Sequence, residues 1–322
     1  MILLFLNVFR VKWLRTGRIF TFCAGLVSLI AEFKKVDFKT NLEFFRESNS
    51  LTNGKNSSQV VNDFALDVVF VATEKDFPIL KFAIQHAIRV TSSFKTRNVY
   101  LVVPDESVTV AVEMIGDKDC IFVIPESEIV SRDILDDLRV AVGGRANWVY
   151  QQLLKVEFIR KSKNPYCLVI DADTILLNPR PWVDKNMKIS LTPTDEANSD
   201  YHLFLNSIGV ISQPPTVSFV PHHMFYDVQS FNILVESIDF VDAKSILLTI
   251  DRHADKASSS PISIDYELYG QWMVSKNPSK VNLIKWSNLG ISRSQARTIL
   301  NSTLLTRFIA IFYNSISFHD YS

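Results

Sequence analysis

The hydrophobic positions of the chain change their spacing near residue 65. From Asp67 to Ala72 the residues are mostly apolar and β-branched, and the chain then becomes polar at residues 73–76. Similar apolar runs recur at residues 99–103, 120–124 and 166–170. Each of these later runs is followed directly by a proline or an aspartate. Continuous short apolar runs are typical of strands that are buried on both faces of a parallel sheet.

Helical periodicity occupies the intervals between those runs. Pro78 suits the first turn of a helix, and apolar residues recur on one face of the segment that follows it. Residues 148–160 carry the clearest helical pattern, directly before the run at 166–170. This alternation predicts one α/β domain over residues 65–322, with a mostly parallel sheet flanked by helices. Ligands of such sheets bind at the carboxyl ends of the strands, so the polar residues there are candidate site residues.

Residues 1–36 differ from that domain in their pattern. Their first four cations precede an apolar run at 19–30, whose 12 residues fall short of the about 20 that cross a bilayer as a helix. Three interpretations stay open: a helical extension packed on the domain, contact with an anionic membrane surface through residues 1–33, and a signal or anchor segment. The serine- and asparagine-rich composition that follows predicts a linker at 37–64.

Composition and charge narrow the class of function. The 322 residues include 34 basic and 34 acidic side chains, and this zero net charge argues against a dedicated nucleic-acid binder. With 47% hydrophobic residues the chain can build a large core, which excludes global disorder. Only 9 glycines are present, so side chains or a metal ion would have to bind any phosphate. Three cysteines without a CxxC pair support neither a zinc knuckle nor a disulfide framework, and indicate a reducing compartment such as the cytoplasm.

An acidic pair follows the apolar run at 166–170. Asp171 and Asp173 are separated only by Ala172, so both carboxylates could reach one hard divalent cation at the end of the strand. Mn²⁺ and Mg²⁺ prefer such oxygen ligands and keep open positions for substrate phosphates. A solvated acidic turn is the alternative interpretation, but the position directly after a buried strand favours a site.

An ordered set of segments around this pair resembles GT-A fold glycosyltransferases. The matching segments are residues 67–77, 148–155, 171–179, 221–224, 265–270 and 317–319. More specifically, the chain is similar to a bacterial family of glycosyltransferase-like proteins, many of them associated with surface polysaccharide genes. The resemblance extends over roughly residues 65–320 and leaves the first sixty outside.

The resemblance implies an activity, a cofactor and a set of binding residues. It implies that a sugar moves from a nucleotide-diphosphate donor to a hydroxyl of a saccharide or lipid-linked acceptor, with Mn²⁺ or Mg²⁺ on the donor diphosphate. The implied metal ligands are Asp171, Asp173 and His319. The candidate donor-binding residues are Thr73, Glu74, Asp76, Arg145, Gln152, Lys155, Asp171 and Ala172. Among them, the three at 73–76 would face the nucleoside, and Arg145 and Lys155 the phosphates.

Three further residues are candidates for the catalytic step. Transfer with inversion needs a base to remove the acceptor proton, and Glu267 is the first candidate and Asp265 the second. Both acids also suit the start of a helix, where they would complement its dipole. His222 and His223 are adjacent on an extended chain, so at most one of them faces the site. We expect His223 on the acceptor side.

Two other functions fit parts of the same pattern. An apolar strand followed by Asp-x-Asp-x-Thr is also how haloacid-dehalogenase phosphatases begin, with the first aspartate as nucleophile; here Asp171 and Asp173 match the two aspartates and Thr174 follows Asp173 directly. Three predicted βα units precede this motif, and no later predicted strand ends in a convincing acidic pair, which argues against a phosphatase. The other alternative is a non-catalytic protein that binds a membrane surface through residues 1–33. The donor sugar, the acceptor and the stereochemical outcome are not determined by these patterns.

Overall fold

The structure is a computed structural model that describes residues 62–116, 118–194, 199–211, 217–253 and 262–319. The N-terminal extension and nearly all of the linker expected from the sequence therefore lie outside the described residues. Strand β1 begins at Asn62, just before the domain start expected at residue 65. None of the helices in these ranges is long and apolar enough to cross a membrane.

The described residues form ten strands and eleven α-helices. The strands are β1 (Asn62–Val71), β2 (Phe94–Val103), β3 (Ile121–Pro125), β4 (Tyr166–Ile170), β5 (Thr174–Leu176), β6 (Ile189–Leu191), β7 (His223–Asp227), β8 (Val281–Leu283), β9 (Asn288–Ser292) and β10 (Ser315–His319). The helices are α1 (Phe77–Val90), α2 (Val108–Ile115), α3 (Glu126–Ile129), α4 (Asp133–Val142), α5 (Ala146–Lys161), α6 (Ser199–Ser207), α7 (Val228–Ser237), α8 (Ala243–His253), α9 (Tyr266–Lys276), α10 (Ala296–Leu300) and α11 (Thr303–Ile309).

The central sheet has five strands in the order β3-β2-β1-β4-β7. The first four are parallel to one another, and β7 is antiparallel to β4 at the edge. In β1, Val68, Val69 and Phe70 are all completely buried, although successive side chains of a strand point to opposite faces. Both faces of the sheet are therefore covered, and the predicted α/β class with a mostly parallel sheet is confirmed.

A second sheet brings the C-terminal residues beside the acidic pair. It has the order β5-β10-β9, in which β10 is antiparallel to β5 and parallel to β9. Because β5 begins at Thr174, directly after the acidic pair, β10 delivers His319 to the same place. A third pair of strands, β6 and β8, is parallel. The pairing of β5 with β10, which are far apart in the sequence, therefore brings His319 to the acidic pair.

Two stretches whose composition is typical of a strand are not strands in the described residues. Residues 206–212 look like a strand, but α6 extends to Ser207 and a turn follows, in which Gly209 has a φ of 76° that favours glycine. Residues 262–264 also look like a strand, but they are irregular in the structure. The Gln152 side chain bonds the Ile262 carbonyl at 2.9 Å and the Ile264 amide at 2.8 Å, and so takes the groups that a neighbouring strand would use.

Candidate functional site

The carboxylate of Asp171 lies in a cluster with a buried cation. Lys155 Nζ is 2.8 Å from Asp171 Oδ1 and 3.0 Å from Asp265 Oδ2, so one ammonium bridges two acids. The Tyr266 hydroxyl donates to the same Asp171 oxygen at 2.7 Å, and Lys155 Nζ lies 4.3 Å from the centre of the Tyr266 ring. Helix α5 supplies the lysine and the start of α9 supplies Asp265 and Tyr266. Three elements thus meet at the end of β4.

Charge pairing in this cluster overcomes the cost of burial. Burial acts to raise the pKa of Asp171, but the Lys155 ammonium and the His222 ring hold that pKa below its usual value. Burial likewise acts to lower the pKa of Lys155, but Asp171 and Asp265 raise it above the ordinary value of a lysine. The Tyr266 hydroxyl, buried beside two carboxylates, has a raised pKa and stays a proton donor. Asp171 is therefore an ionised carboxylate at neutral pH.

Asp173 has a different set of neighbours, which come from the C-terminal strands. Its Oδ2 lies 3.6 Å from His319 Nδ1 and 3.8 Å from Arg293 Nη2. Its Oδ1 lies 3.3 Å from the Thr174 hydroxyl oxygen. The Phe318 amide donates to the Asp173 carbonyl at 3.0 Å, which fixes the backbone of the acidic pair against β10.

A chain of hydrogen bonds between buried side chains begins at Thr174, the residue after Asp173. The Thr174 and Ser317 hydroxyls are 2.8 Å apart, and Ser317 donates to Asn288 Oδ1 at 3.2 Å. Ser315 donates to the same Asn288 oxygen at 2.8 Å, and Trp286 Nε1 donates to Ser315 Oγ at 2.8 Å. Thr174, Ser315 and Ser317 are completely buried. Buried polar groups that are fully bonded in this way hold the strands that carry them in one register.

The structure turns His222, rather than His223, toward the acidic pair. His222 Nδ1 is 3.3 Å from Asp171 Oδ2, and its ring centre is 4.9 Å from that of His319. The His223 side chain is completely buried on the other face, donates from Nδ1 to the Pro221 carbonyl and packs against Trp286. Burial lowers the pKa of His223 well below its usual value. The alternation of an extended chain does not apply to this pair, because His222 lies before β7 with a φ of 62°, and this local turn directs its ring toward the acidic pair.

The Asp76 side chain orders the loop at residues 73–76, which follows β1. Asp76 Oδ2 accepts hydrogen bonds from both the amide and the hydroxyl of Thr73, at 3.0 Å each. Glu74 Oε1 accepts from the Ser107 hydroxyl at 3.0 Å, which ties the loop to the end of β2. Arg293 then connects this loop to the acidic pair, because its Nη2 is 2.8 Å from Asp76 Oδ1. Asp76 therefore contacts the arginine that neighbours Asp173, Thr73 bonds Asp76, and Glu74 bonds the segment after β2.

Arg293 is the residue that sequence reasoning missed. It directly follows β9, which runs parallel to β10, so Arg293 and His319 emerge at the same end of the second sheet. The usable signal is weak: a cation follows a short run with strand-like residues at 288–292. Nothing local indicates that this strand pairs with the one that carries His319.

Glu267 lies outside the cluster, in a separate buried network. Its side chain is completely buried, and its Oε2 accepts from the Phe219 amide at 2.6 Å and from the Ser218 hydroxyl at 2.8 Å. Gln271 donates to Oε1 at 2.7 Å. Gly270 lets this helix approach closely, since a Cβ there would lie 2.3 Å from Phe219 Cγ. The carboxylate of Glu267 thus anchors the chain at 217–219 to α9.

The remaining candidates are divided between the cluster and its surroundings. Gln152 does not reach the cluster but holds the segment that leads to Asp265. Ala172 is buried between the two aspartates. Arg145 precedes Lys155 by ten residues, which is about 15 Å along a helix at a rise of about 1.5 Å per residue. Its guanidinium lies over the Trp148 ring, with 5.9 Å between the guanidinium carbon and the ring centre.

The side chains around Asp173 offer ligand atoms of the kinds that Mn²⁺ accepts. Carboxylate oxygen and imidazole nitrogen are suitable ligands, and the 3.6 Å between Asp173 Oδ2 and His319 Nδ1 allows one cation to lie between them. Asp171 Oδ2 and His222 lie beside this pair, whereas Asp171 Oδ1 is already bonded by Lys155 and Tyr266. Within the described ranges, no three His, Cys, Asp or Glu side chains are grouped closely enough to hold a metal ion as they stand.

Comparison with known proteins gave a match to one family model and similar solved structures. A family of unknown function, DUF6492, matches residues 79–202, which is less than half of the chain. Comparison with curated protein sequences gave no match. Two similar solved structures are of the galactosyltransferase LgtC. One, in complex with donor and acceptor sugar analogs, is 10% identical with a TM-score of 0.45 and covers 78% of this chain and 86% of that one. The other, an active-site mutant, is 11% identical with a TM-score of 0.44 and the same coverage.

Proposed function

We propose that this protein is a metal-dependent glycosyltransferase that moves a hexose from a nucleotide-diphosphate donor to a hydroxyl of a saccharide or a lipid-linked acceptor. The observation that supports the proposal is that Asp171 and Asp173 directly follow β4 and that His319 of β10 lies beside Asp173, with 3.6 Å between His319 Nδ1 and Asp173 Oδ2. The loop after β1 adjoins them through Arg293. Carboxyl ends of parallel strands are where α/β sheets bind their ligands.

Asp173 and His319 are the proposed direct metal ligands, with Asp171 Oδ2 as the third. Bound there, Mn²⁺ or Mg²⁺ would neutralise the charge of the leaving diphosphate without a proton transfer. Lys155 keeps Asp171 ionised and in place, because its ammonium contacts Asp171 Oδ1 and leaves Oδ2 directed toward His222. Thr73, Glu74 and Asp76 are proposed to bind the nucleoside. They lie at the neighbouring strand end, where Glu74 is exposed and could accept a hydrogen bond, whereas Asp76 is buried and would act through the shape of the loop that it holds.

Of the two carboxylates considered as bases, we propose Asp265. Asp265 is also buried and has internal hydrogen-bond partners, but it differs from Glu267 in its place, because it belongs to the same cluster as Asp171 through the shared Lys155 ammonium. Both oxygens of Glu267 accept hydrogen bonds inside the protein, and its side chain is completely buried. We therefore propose that Glu267 positions the chain at 217–219 instead. An inverting reaction needs such a base, whereas a retaining one does not.

A cytoplasmic location also belongs to this proposal. Cys167 is a buried free thiol and Cys120 is a half-buried one, which fits a reducing compartment. Contact of residues 1–33 with the inner face of a membrane would bring the enzyme to a lipid-linked acceptor. That segment lies outside the described residues.

Calorimetric titration with UDP- and GDP-sugars in the presence of Mn²⁺ tests the proposal. We expect wild-type protein to bind one donor class, and Asp173→Asn to lose at least tenfold in affinity. Asp184→Asn is the matched control, because Asp184 accepts from backbone amides in a surface turn away from the site. Absence of nucleotide binding, or binding that Asp173→Asn leaves unchanged, would contradict the proposal. Phosphate release from a simple ester, lost in Asp171→Asn, would favour the phosphatase instead.

A further inference from the structure

The guanidinium of Arg293 touches both parts of the proposed donor site. Its Nη1 donates to the Lys75 carbonyl at 2.8 Å, and its Nη2 is 2.8 Å from Asp76 Oδ1. The same Nη2 lies 3.8 Å from Asp173 Oδ2. One side chain from the C-terminal part of the chain thus spans the loop after β1 and the acidic pair after β4.

The contacts on the loop side are the shorter ones. Arg293 grips the loop as a fork, with one nitrogen on a backbone carbonyl and the other on a carboxylate, and such charge-assisted pairs are short and directional. The Asp76 side chain is 8% exposed and that of Arg293 is 19% exposed, so solvent screens this pair less than a surface pair. The other oxygen of Asp76 bonds Thr73, so the arginine fixes the whole turn indirectly.

The position of Arg293 follows from strand pairing. β9 ends at Ser292, which is the register partner of His319 in β10. The amide of Phe318, the neighbour of His319, is bonded to the Asp173 carbonyl. Strand pairing therefore fixes the backbone position of Arg293 relative to the acidic pair, independently of its contacts with the loop.

We propose that Arg293 is a positioning residue that joins the loop Thr73–Asp76 to the Asp173 carboxylate, so that the nucleoside and diphosphate parts of the donor site form at a fixed separation. This inference rests on the proposed function, because it assigns the loop to the nucleoside. Arg293 acts through the loop, and contact between Arg293 and the donor is not part of its role.

That role gives a binding pattern different from the pattern of a direct phosphate contact. If Arg293 shapes the nucleoside-binding loop, its removal weakens a free nucleoside as much as a nucleoside diphosphate. If it touches the phosphates, only the diphosphate loses affinity. Because Arg293 and Asp76 act in part through their shared contact, removal of both should cost less than the sum of the two single losses.

The experiment compares uridine, guanosine, UDP and GDP by calorimetry in the presence of Mn²⁺. The proteins are wild type, Arg293→Gln, Arg293→Lys, Asp76→Asn and the double variant Asp76→Asn with Arg293→Gln. We expect Arg293→Gln to weaken nucleoside and nucleoside diphosphate by the same factor, about tenfold, which corresponds to about 1.4 kcal/mol. Arg293→Lys should recover only part of the loss, because lysine lacks the planar fork.

Arg97→Gln is the matched control, because Arg97 donates to the Phe94 carbonyl at the amino end of β2, away from the site. It should leave all four affinities unchanged. A loss confined to the diphosphates, or additive losses in the double variant, would overturn the positioning role.

A ligand-free measurement separates this inference from the proposed function. Hydrogen exchange should be faster at the Thr73 and Asp76 amides in Arg293→Gln, since these amides are bonded within the turn that the arginine fixes. Exchange at Val68–Phe70, in the core of β1, should not change. If wild-type protein binds none of the four compounds, the proposed function fails and exchange alone decides on Arg293. Unchanged exchange at the turn would then refute its role.

Discussion

The two aspartates of the acidic pair differ in their contacts although a single residue separates them. The side chains of Asp171 and Asp173 are similarly exposed, at 26% and 22%, so burial does not distinguish them. Asp171 has an ammonium at 2.8 Å and a phenol at 2.7 Å, whereas the nearest basic side chains of Asp173, His319 and Arg293, are at 3.6 and 3.8 Å. The charge of Asp171 is compensated inside the protein. Asp173 has these basic neighbours beyond hydrogen-bonding distance, so its charge is compensated less inside the protein than that of Asp171.

The largest loss of stability is expected from Lys155→Met, which removes the ammonium that pairs with Asp171 and Asp265. It leaves two poorly solvated carboxylates beside each other without a cation, and breaking such a buried pair costs about 3–5 kcal/mol. Urea unfolding at pH 7 measures the change. Lys161→Met is the control, since Lys161 lies on the exposed part of the same helix, 3.6 Å from Glu157. Equal changes in the two variants would mean that the cluster contributes little.

The pH dependence of the unfolding free energy should differ between wild type and Lys155→Met. The pKa of Asp171 is lowered in the folded state, so its contribution is present above its unfolded value of about 3.9 and is lost as the pH falls. The pKa of Lys155 is raised, so its contribution is present below about 10.4 and is lost as the pH rises through the folded value. The difference in unfolding free energy between wild type and Lys155→Met should thus be greatest between about pH 4 and 10. A difference that does not vary with pH would contradict this assignment.

A moderate effect is expected from Thr174→Val, on the Asp173 side. The valine keeps the shape but leaves Ser317 with one bonding partner fewer in a completely buried place, at a cost of about 1–3 kcal/mol. Thermal unfolding followed by circular dichroism gives the change. Thr249→Val is a suitable comparison, because Thr249 is half-buried and bonds only a carbonyl of its own helix. If the two variants lose the same stability, the buried hydroxyl chain does not hold β5 to β10.

The smallest effect on stability is expected from Asp173→Asn, within about 0.5 kcal/mol. Its ionic contacts are long, and Arg293 keeps Asp76 as a partner. Asp171→Asn should cost more, because it removes one of the two charges that Lys155 pairs with. Chemical unfolding of the two variants in parallel tests the contrast. An equal or larger loss in Asp173→Asn would remove the distinction between the two aspartates.

Local patterns were sufficient where neighbouring residues decide the structure. The periodicity at 148–160 predicts α5, which the structure places at Ala146–Lys161, and the apolar run at 166–170 is β4. They failed at residues 206–212, where a glycine turn overrides strand-like composition. They also did not reveal which of His222 and His223 faces the acidic pair, because His222 precedes β7 with a φ of 62° and the alternation of an extended chain does not extend to it.

The sequence by itself determined the class of fold, the end of β4 as the place of the acidic pair, and the residue types available there. Only the tertiary structure decided the pairing. Lys155 reaches Asp265 across 110 residues and Arg293 reaches Asp76 across 217. Hydrophobic spacing reports on the few residues that share one helix or strand, whereas these contacts depend on strand order in two sheets. That order is set by how the whole core packs, so the sequence named the chemical groups and the fold assigned their partners.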